Sequence, residues 1–290
     1  DQEQATSRRN IGGMDSPPMI GFQALASGSK ANCMILGDKN NGTLLDVGLG
    51  VRSLKSKLDL IGWNPENFRS AVLTHTHGDH WSQSSLMWLS QQGIRLWCHE
   101  AHAAQISPLA PGLNELRRKG LLSLYKEDRS FQPMPGWNFH PIPVSHDSDP
   151  TFGFRCDHTS WSMAYLADLG TTEGLPWENL ANLDFLAIES NHDPDMLRQS
   201  NRPKHLINRI AGNSGHLSNH QCAETAVQLM KKSSGRLESV LLLHLSSECN
   251  SPELALRSTR SALQGMTKSI RISVAPQGDP SPRFSTNRAA

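Results

Sequence analysis

Short apolar runs separated by polar, glycine-containing turns dominate the early part of the chain. Met19 to Leu25, Cys33 to Leu36 and Thr43 to Val47 have the length and composition of strands. The sequence Asp-Lys-Asn-Asn-Gly at 38–42 separates the last two runs and is typical of a hairpin turn. A further apolar run, Ala71 to Thr74, predicts a buried strand. The chain is therefore expected to begin as a sheet.

Strand-like and helix-like patterns alternate in the later part of the chain. The strands predicted there are 137–144, 162–166, 239–243 and 269–274. Ser218 and Gln221 form a capping box that predicts a helix to about Lys232, and Pro252 starts another that continues past Leu263. Strands and helix pairs in this order favour an α+β fold, a four-layer αββα sandwich, over a doubly wound sheet, although periodicity alone is compatible with both.

The composition indicates one large domain. At 290 residues, of which 37% are apolar, the chain can bury a substantial core. The polar segments 1–18 and 278–290 lack apolar periodicity and are interpreted as disordered tails, so that 19–277 forms the folded domain. No apolar stretch approaches the roughly 18 residues of a membrane span, and the N-terminal segment lacks the apolar core of a signal peptide. Five cysteines form no Cys-x-x-Cys pair. A reduced, cytoplasmic protein without membrane contact is expected, and the oligomeric state stays open.

The net charge limits how the chain could bind nucleic acid. A formal net charge of +1 excludes a strongly basic protein that coats DNA non-specifically, so any such contact must be local. Most basic clusters are interpreted as solvated surface. One cluster is different because it lies between the acidic motif Glu189 to Asp193 and His216. It contains Arg198, Arg202, Lys204 and Arg209.

The segment Thr74 to His80 (Thr-His-Thr-His-Gly-Asp-His) carries the strongest chemical signal. Alternation along an extended chain that leaves a strand directs His75 and His77 to the same side, where they can share one metal ion. Asp79 and His80 lie at the turn into a predicted helix and can reach a second ion. The alternative is a surface histidine cluster, which would not require this spacing of imidazoles and carboxylate.

Further metal-ligating side chains follow the ends of other apolar runs. His146, Asp168 and His244 each come just after a predicted strand, and Asp46 would be carried to the same rim. Two cations held by histidine and aspartate side chains lower the pKa of a bridging water, so that hydroxide becomes the nucleophile. In agreement, the sequence contains no Gly-x-Ser-x-Gly nucleophile motif.

From about Ile20 to Ala275 the chain resembles the metallo-β-lactamase superfamily, whose αββα sandwich carries one or two metal ions at one edge of its paired sheets. The resemblance implies two divalent metal ions, Zn²⁺ or Mn²⁺, with Asp168 bridging them. It also implies that Asp46 orients a metal-bound imidazole. The implied ligands are His75, His77 and His146 for one ion, and Asp79, His80 and His244 for the other.

Five motifs resemble one branch of that superfamily, the YycJ (WalJ) group of metal-dependent exonucleases that act on DNA. They are Leu25 to Asn32, Glu189 to Asp193, Arg209-Ile210, Gly215 to Asn219 and His244 to Ser246. The resemblance implies a dinuclear-metal-dependent phosphodiesterase, a DNA exonuclease. A small-molecule hydrolase of the same fold (cyclic phosphodiesterase, lactonase or thioesterase) stays open, and the few aromatic residues favour it slightly, because bases of single strands stack on aromatic rings. A binding protein without turnover is the third hypothesis, and the complete ligand set argues against it.

Several residues near the predicted site receive roles. Asp79 and His216 are the candidate catalytic residues. His216 precedes the helix start at Ser218, where an imidazole could contact a phosphate or protonate a leaving oxygen, and tethering of the loop is the alternative. His192 is expected to support the loop beside the site. The candidate substrate-binding residues are Ser27, Ser29, Arg198, Arg202, Lys204, Arg209 and Asn219.

Overall fold

The computed structural model describes residues 20–38, 40–159, 161–266 and 269–285. The strands are β1 (Gly21–Ala26), β2 (Cys33–Gly37), β3 (Gly42–Leu45), β4 (Phe68–Val72), β5 (Arg95–His99), β6 (Leu122–Tyr125), β7 (Trp137–Val144), β8 (Thr151–His158), β9 (Trp161–Leu166), β10 (Phe185–Glu189), β11 (Ser239–Leu243), β12 (Arg271–Val274) and β13 (Phe284–Ser285). The α-helices are α1 (Val51–Leu60), α2 (Gln83–Gln92), α3 (Glu100–Ile106), α4 (Pro111–Arg118), α5 (Pro194–Gln199), α6 (Lys204–Ala211), α7 (Asn219–Lys232) and α8 (Pro252–Leu263).

The strands form two mixed sheets. One has the order β13-β1-β2-β3-β4-β5-β6 and the other has the order β12-β11-β10-β9-β8-β7. Strands β3 to β6 run parallel to one another, and so do β9 to β12. The carboxyl ends of parallel neighbours lie at the same edge of a sheet, so the loops after these strands meet at one rim.

Three apolar clusters separate four layers. Phe22, Tyr165 and Phe185 belong to a cluster that both sheets share between them. A second cluster joins the outer face of the first sheet to α1, α2 and α4, and includes Leu54 from α1. A third joins the other sheet to α7 and α8 and includes Leu229 from α7. The predicted αββα sandwich is thereby confirmed.

The main helix boundaries follow the local sequence signals. Gly93 ends α2 in a left-handed conformation with φ 71°, which glycine adopts without a steric penalty. Ser218 and Gln221 form the capping box that starts α7. The side chain that caps α8 is that of Ser251, and Asn250 before it is buried.

The segment from Gly278 to Ser285 corrects the prediction of a C-terminal tail. Phe284 pairs with Phe22 in β1, and its ring is only 2% exposed. The hydroxyl of Ser281 accepts a hydrogen bond from the backbone N–H of Ala24 at 3.0 Å. One buried ring and a few backbone hydrogen bonds hold this strand in place. A segment with so few apolar residues shows no apolar periodicity, so its sequence did not indicate a strand. The predicted N-terminal tail and residues 286–290 lie outside the described residues.

Helices are short relative to a bilayer. Within the described ranges, none of them is both long enough and apolar enough to cross a membrane.

Candidate metal centre

Three strand ends turn toward the rim through an unusual backbone conformation. Asp46, Asp168 and His244 follow β3, β9 and β11, and their φ angles are 61°, 51° and 54°. A left-handed backbone costs roughly 1–3 kcal/mol for a residue with a side chain, and such strain is concentrated at functional sites. In each case the strained residue carries one of the predicted site side chains.

The histidine motif is fixed by the loop that follows β3. The Asp46 carboxylate accepts hydrogen bonds from the backbone N–H of Thr74 at 2.9 Å and from the Thr74 hydroxyl at 3.0 Å. A side chain at Gly48 would place its Cβ 1.8 Å from the carbonyl oxygen of Asp79, so only glycine lets the two loops pass this closely. Tertiary contacts thus hold Thr74 to His80 beside β3.

The first group of predicted ligands comes together at this rim. Ring nitrogens of His75, His77 and His146 all lie within 4.8 Å of one another. His146 Nε2 lies 3.2 Å from His77 Nδ1, and His146 Nδ1 donates to the carbonyl oxygen of Gly215 at 2.9 Å. Three imidazoles at this separation could hold one divalent cation.

The second group lies beside the first, with Asp168 between them. The Asp168 Oδ2 atom is 2.5 Å from His80 Nε2 and 3.5 Å from His75 Nε2, and its Oδ1 atom is 2.5 Å from His244 Nδ1. Asp79 Oδ2 lies 3.5 Å from His80 Nε2 and 3.6 Å from His244 Nε2. A carboxylate in the position of Asp168 could contact cations in both groups.

Two ring nitrogens without a hydrogen-bond partner among the described residues indicate that these side chains can bind a metal ion. His75 Nε2 and His244 Nε2 are buried, and neither has a hydrogen-bond partner within the described ranges. An unpaired buried polar atom is costly, whereas a neutral imidazole nitrogen is a strong ligand for divalent transition metals. Imidazoles mixed with carboxylates are donors for Zn²⁺ and Mn²⁺. The residues present therefore fit a divalent metal.

Charge in the site favours a cation. Burial lowers the pKa of His75 well below its ordinary value, which keeps the imidazole in its neutral, ligating form. Burial also disfavours a charged His80, but the carboxylates of Asp46 and Asp168 outweigh it and raise the pKa of His80 well above its ordinary value. Burial alone would raise the pKa of Asp168, yet His244 and His80 hold it well below its ordinary value. Carboxylates that attract a proton here would equally attract a metal ion.

Glu189 is the central residue that the sequence analysis left without a role. Its carboxylate is fully buried at the end of β10, and Oε1 lies 2.7 Å from His216 Nδ1 and 2.8 Å from His244 Nδ1. Oε2 accepts hydrogen bonds from the backbone N–H groups of Leu169 and Leu217 at 3.0 and 3.1 Å. Its position directly after an apolar strand, like that of Asp168, was the signal that could have found it.

Asn32 and Asp147 are further polar residues that the sequence analysis did not single out. Asn32 Nδ2 donates to Asp79 Oδ2 at 3.0 Å. Asp147 Oδ1 lies 3.5 Å from His77 Nε2 and 3.4 Å from His146 Nε2. Adjacency in sequence to His146 was the only signal for Asp147.

A cleft of about 180 Å³ opens beside the second group of ligands, and His216 lies at its edge. The His216 side chain is 23% exposed, and its Nδ1 atom is engaged by Glu189, which leaves Nε2 as the other polar ring atom. Burial disfavours a protonated His216, but Glu189 outweighs it and raises the pKa of His216 above its ordinary value. Ser29, Arg202 and Arg209 also line the cleft.

Two of the predicted substrate-binding residues are buried and occupied, so these predictions are corrected. Ser27 is 1% exposed, and its hydroxyl accepts a hydrogen bond from the backbone N–H of His244 at 2.8 Å. Asn219 is 2% exposed and exchanges two side-chain hydrogen bonds with Asn250, at 2.8 and 2.9 Å. Both side chains take part in hydrogen bonds between loops of the site.

Arg198 and Lys204 do not line this cleft. The Arg198 side chain is 72% exposed and pairs with Asp195 one turn away on α5. Lys204 is exposed at the first position of α6. His192 is buried in the loop after β10, where its carbonyl oxygen accepts a hydrogen bond from the backbone N–H of Asn219 at 2.8 Å.

Comparison with known proteins agrees with the fold. A family model described as a beta-lactamase superfamily domain matches residues 44–244. The chain is 29% identical to the exodeoxyribonuclease WalJ of Streptococcus pneumoniae over 239 residues, which are 81% of this chain and 86% of the relative. It is 23% identical to the exodeoxyribonuclease YycJ of Bacillus anthracis over 243 residues, which are 84% of this chain and 89% of the relative.

Solved structures show the same architecture at low sequence identity. The metallo-β-lactamase fold protein YhfI from Bacillus subtilis superposes with a TM-score of 0.65 at 15% identity, covering 92% of this chain and 100% of that one. A diphosphatase from the PhnP family superposes with a TM-score of 0.62 at 15% identity, covering 92% of this chain and 98% of that one. With a family model over more than half its length and a rim of imidazoles and carboxylates suited to divalent metal, this chain belongs to the metallo-β-lactamase superfamily and is a metal-dependent hydrolase.

Proposed function

We propose that the protein is a dinuclear-metal-dependent phosphodiesterase that acts on DNA as an exonuclease. The observation that carries the metal site is the convergence of two groups of ligands on either side of Asp168, with buried ring nitrogens left unpaired. The DNA substrate is supported by similarity over most of the chain to relatives named as exodeoxyribonucleases. We assign Zn²⁺ or Mn²⁺ as the cofactor because both accept mixed imidazole and carboxylate ligands.

Different residues of the chain would bind the metal ions and transfer the proton. His75, His77 and His146 would hold one ion, and Asp168 would hold both. The ligands of the other ion would be Asp79, His80 and His244. When bound, such a pair of ions supplies an activated water and neutralises charge on the phosphate.

His216 is proposed to act on the leaving oxygen. Glu189 orients its ring through Nδ1, which directs Nε2 to the cleft side, where a phosphodiester would lie. An imidazole fixed in this way can donate a proton from Nε2 to the departing oxygen. Asp79, which is 18% exposed beside the same cluster, is the second residue that we assign to catalysis.

A small-molecule hydrolase is the second candidate. The observation that favours it is the absence of tryptophan, tyrosine and phenylalanine from the described lining of the cleft, since these rings are the usual stacking platform for unpaired bases. A small phosphodiester would need only the metal site and His216.

One experiment separates the two candidates. Purified protein loaded with Mn²⁺ or Zn²⁺ is incubated with an end-labelled linear oligonucleotide, with a covalently closed circle of the same sequence, and with bis-p-nitrophenyl phosphate. We expect mononucleotides from the linear strand and an intact circle. Turnover of bis-p-nitrophenyl phosphate alone would support the small-molecule hydrolase, and cleavage of the circle would contradict an exonuclease.

Metal stoichiometry tests the dinuclear part of the proposal. Elemental analysis of metal-replete protein should give close to two divalent ions per chain. His80→Ala should lose mainly one ion, because His75, His77 and His146 remain intact. A single ion in the wild-type protein would contradict the dinuclear assignment.

A further inference from the structure

Helix α6 packs against a loop of the site and contributes no buried residue to the apolar core. None of its residues is buried, in contrast to α7 and α8. Its carboxyl end lies directly against the segment that carries His216, whose backbone N–H donates to the carbonyl oxygen of Ile210 at 2.9 Å. A Cβ at Gly215 would lie 2.2 Å from the carbonyl oxygen of Arg209, so glycine is required for this approach. The helix is therefore held at the edge of the cleft.

Arg209 is separated from the first metal group by a single carboxylate. Its Nε and Nη2 atoms both lie 2.5 Å from Asp147 Oδ2, while Asp147 Oδ1 lies 3.5 and 3.4 Å from ring nitrogens of His77 and His146. The Arg209 side chain is 62% exposed and lines the cleft. Because a guanidinium has five donors, the pair with Asp147 fixes the planar group and leaves further N–H groups for a ligand.

Arg202 has a buried donor that the protein leaves unpaired. The residue precedes α6 and lines the same cleft, and its Nη2 atom lies 3.0 Å from Glu248 Oε2. Its side chain is only 25% exposed, and its Nε atom is buried without a hydrogen-bond partner among the described residues. An unpaired buried donor on a charged group is costly, and an incoming anion would satisfy it.

The cleft suits part of a polymer better than a whole small molecule. Its volume of about 180 Å³ is below the roughly 300–1,000 Å³ of pockets that enclose a small ligand. Without tryptophan, tyrosine or phenylalanine in its described lining, the cleft offers arginine forks in place of the usual stacking surfaces, and such forks match phosphate oxygens bidentately.

Building on the proposed phosphodiesterase function, we propose that Arg202 and Arg209 bind the phosphates next to the one being cleaved, so that a nucleic-acid strand is held by its backbone and not by its bases. Asp147 and Glu248 keep the two guanidinium groups in position at the rim. Substrates with several phosphates in a row are then bound more tightly than a single phosphodiester. Base sequence has little influence on binding.

The test measures binding as well as turnover. Affinity of the metal-loaded protein for a fluorescent single-stranded oligonucleotide with hydrolysis-resistant phosphorothioate linkages is followed as a function of salt concentration. Arg202→Ala and Arg209→Ala should each flatten the slope of log K against log salt by about 0.7, the value for one lost phosphate contact on a single strand. Arg198→Ala is the matched control, because it removes the same charge from the neighbouring helix outside the cleft, and its slope should equal that of the wild type.

A second variant separates phosphate binding from a structural role. If Arg209 only holds Asp147 beside the histidines, Asp147→Asn will reproduce the defect of Arg209→Ala and the inference is overturned. If Arg209 binds phosphate, Asp147→Asn will retain the wild-type salt slope, because the amide oxygen of asparagine still accepts a hydrogen bond from the guanidinium and keeps it at the rim. In addition, the preference of kcat/KM for a longer oligonucleotide over a dinucleotide should fall by about tenfold in Arg209→Ala, the loss of one charge-assisted hydrogen bond.

The outcomes also separate this inference from the function on which it rests. A wild-type protein that hydrolyses neither oligonucleotide nor bis-p-nitrophenyl phosphate contradicts the proposed phosphodiesterase. A wild-type protein that shortens oligonucleotides, with unchanged salt slopes in both arginine variants, contradicts the phosphate contacts alone.

Discussion

At the residue scale, the site is organised by which ring nitrogen of each histidine is already engaged. In four imidazoles the Nδ1 atom lies within hydrogen-bond distance of a protein oxygen, which leaves Nε2 facing the interior of the cluster. The partners are Thr74 for His75, Asp46 for His80, Gly215 for His146 and Glu189 for His244. Such partners fix the tautomer and ring orientation of an imidazole that binds a metal ion.

Asp168→Ala should be the most damaging single change in the site. One carboxylate lies between the two groups of histidines, and without it two cations would face each other unshielded. We expect hydrolysis to fall more than about a hundredfold, as for loss of a central electrostatic group. Asp128→Ala, at a 68% exposed position, is the control. Turnover within tenfold of the wild type would show that Asp168 does not bridge the ions.

Glu189→Gln should weaken both metal binding and turnover by about 10–100-fold, the range for residues that orient metal ligands. The amide can accept from the imidazoles or from the backbone N–H groups, but it cannot satisfy all four donors as the carboxylate does. Metal affinity by competition with a chelator dye, and kcat/KM, are the readouts. Glu178→Gln, 85% exposed, provides the comparison, and equal behaviour of the two variants would rule out the orienting role.

At the element scale, the residues at the strand ends form the site, and the terminal strands complete the sheets. Each parallel strand from β3 to β4 and from β9 to β11 delivers a site residue to the rim, and helices α1 to α4 and α7 to α8 cover the outer faces. Strand β13 adds an antiparallel edge to β1. The ring of Phe284 in this strand packs on Phe185, with the ring centroids 5.3 Å apart, so the last described residues stabilise the sandwich.

Phe284→Ala should lower the free energy of unfolding by about 3 kcal/mol, at the lower end of the range for removal of a buried phenylalanine ring. Urea denaturation of the purified protein measures the change. Leu109→Ala, at a position that is 68% exposed, should change stability by less than about 0.5 kcal/mol. A Phe284→Ala variant as stable as the wild type would restore the interpretation of this segment as a tail.

At the scale of the whole molecule, the net charge does not describe the cleft, where two arginines lie beside two carboxylates. Arg202 and Arg209 meet at one cleft while Asp147 and Glu248 lie beside them, so that the formal net charge of +1 says little about the surface that a substrate meets. Stability also depends on groups far from this cleft, and the buried His102 is the clearest case.

Acid should destabilise the fold partly through His102. Burial lowers the pKa of His102 to about 4, and its Nδ1 accepts from the backbone N–H of His99 while Nε2 donates to Pro150. The unfolded chain, with an ordinary pKa of about 6.5, takes up a proton that the folded protein does not. Stability is therefore fully present above that value and is lost as the pH falls toward 4.

The corresponding test compares unfolding free energies at about pH 7.5 and about pH 4.5. In His102→Gln the loss between the two pH values should be smaller than in the wild type by about 2 kcal/mol. His220→Gln, on the exposed side of α7, should lose as much as the wild type. If His102→Gln also loses as much, this imidazole does not contribute to acid sensitivity.

The sequence by itself determined the positions of most strands, two helix boundaries and the cluster of candidate metal ligands. Apolar runs of strand length located the strands, and the capping box at Ser218 and the glycine at Gly93 set helix boundaries, because these signals act between neighbouring residues. The spacing of His75, His77 and His80 indicated a metal centre for the same reason.

Only the tertiary structure decided which polar residues face the cleft. Ser27 and Asn219 lie in motifs of the site, but their side chains form hydrogen bonds with His244 and Asn250. Glu189 forms hydrogen bonds with two imidazoles that are distant from it in sequence. Four basic residues in one segment were equivalent in sequence, whereas packing of α6 against the His216 loop brings only Arg202 and Arg209 to the cleft. Burial and direction of a side chain depend on contacts between distant segments, and a local pattern does not contain them.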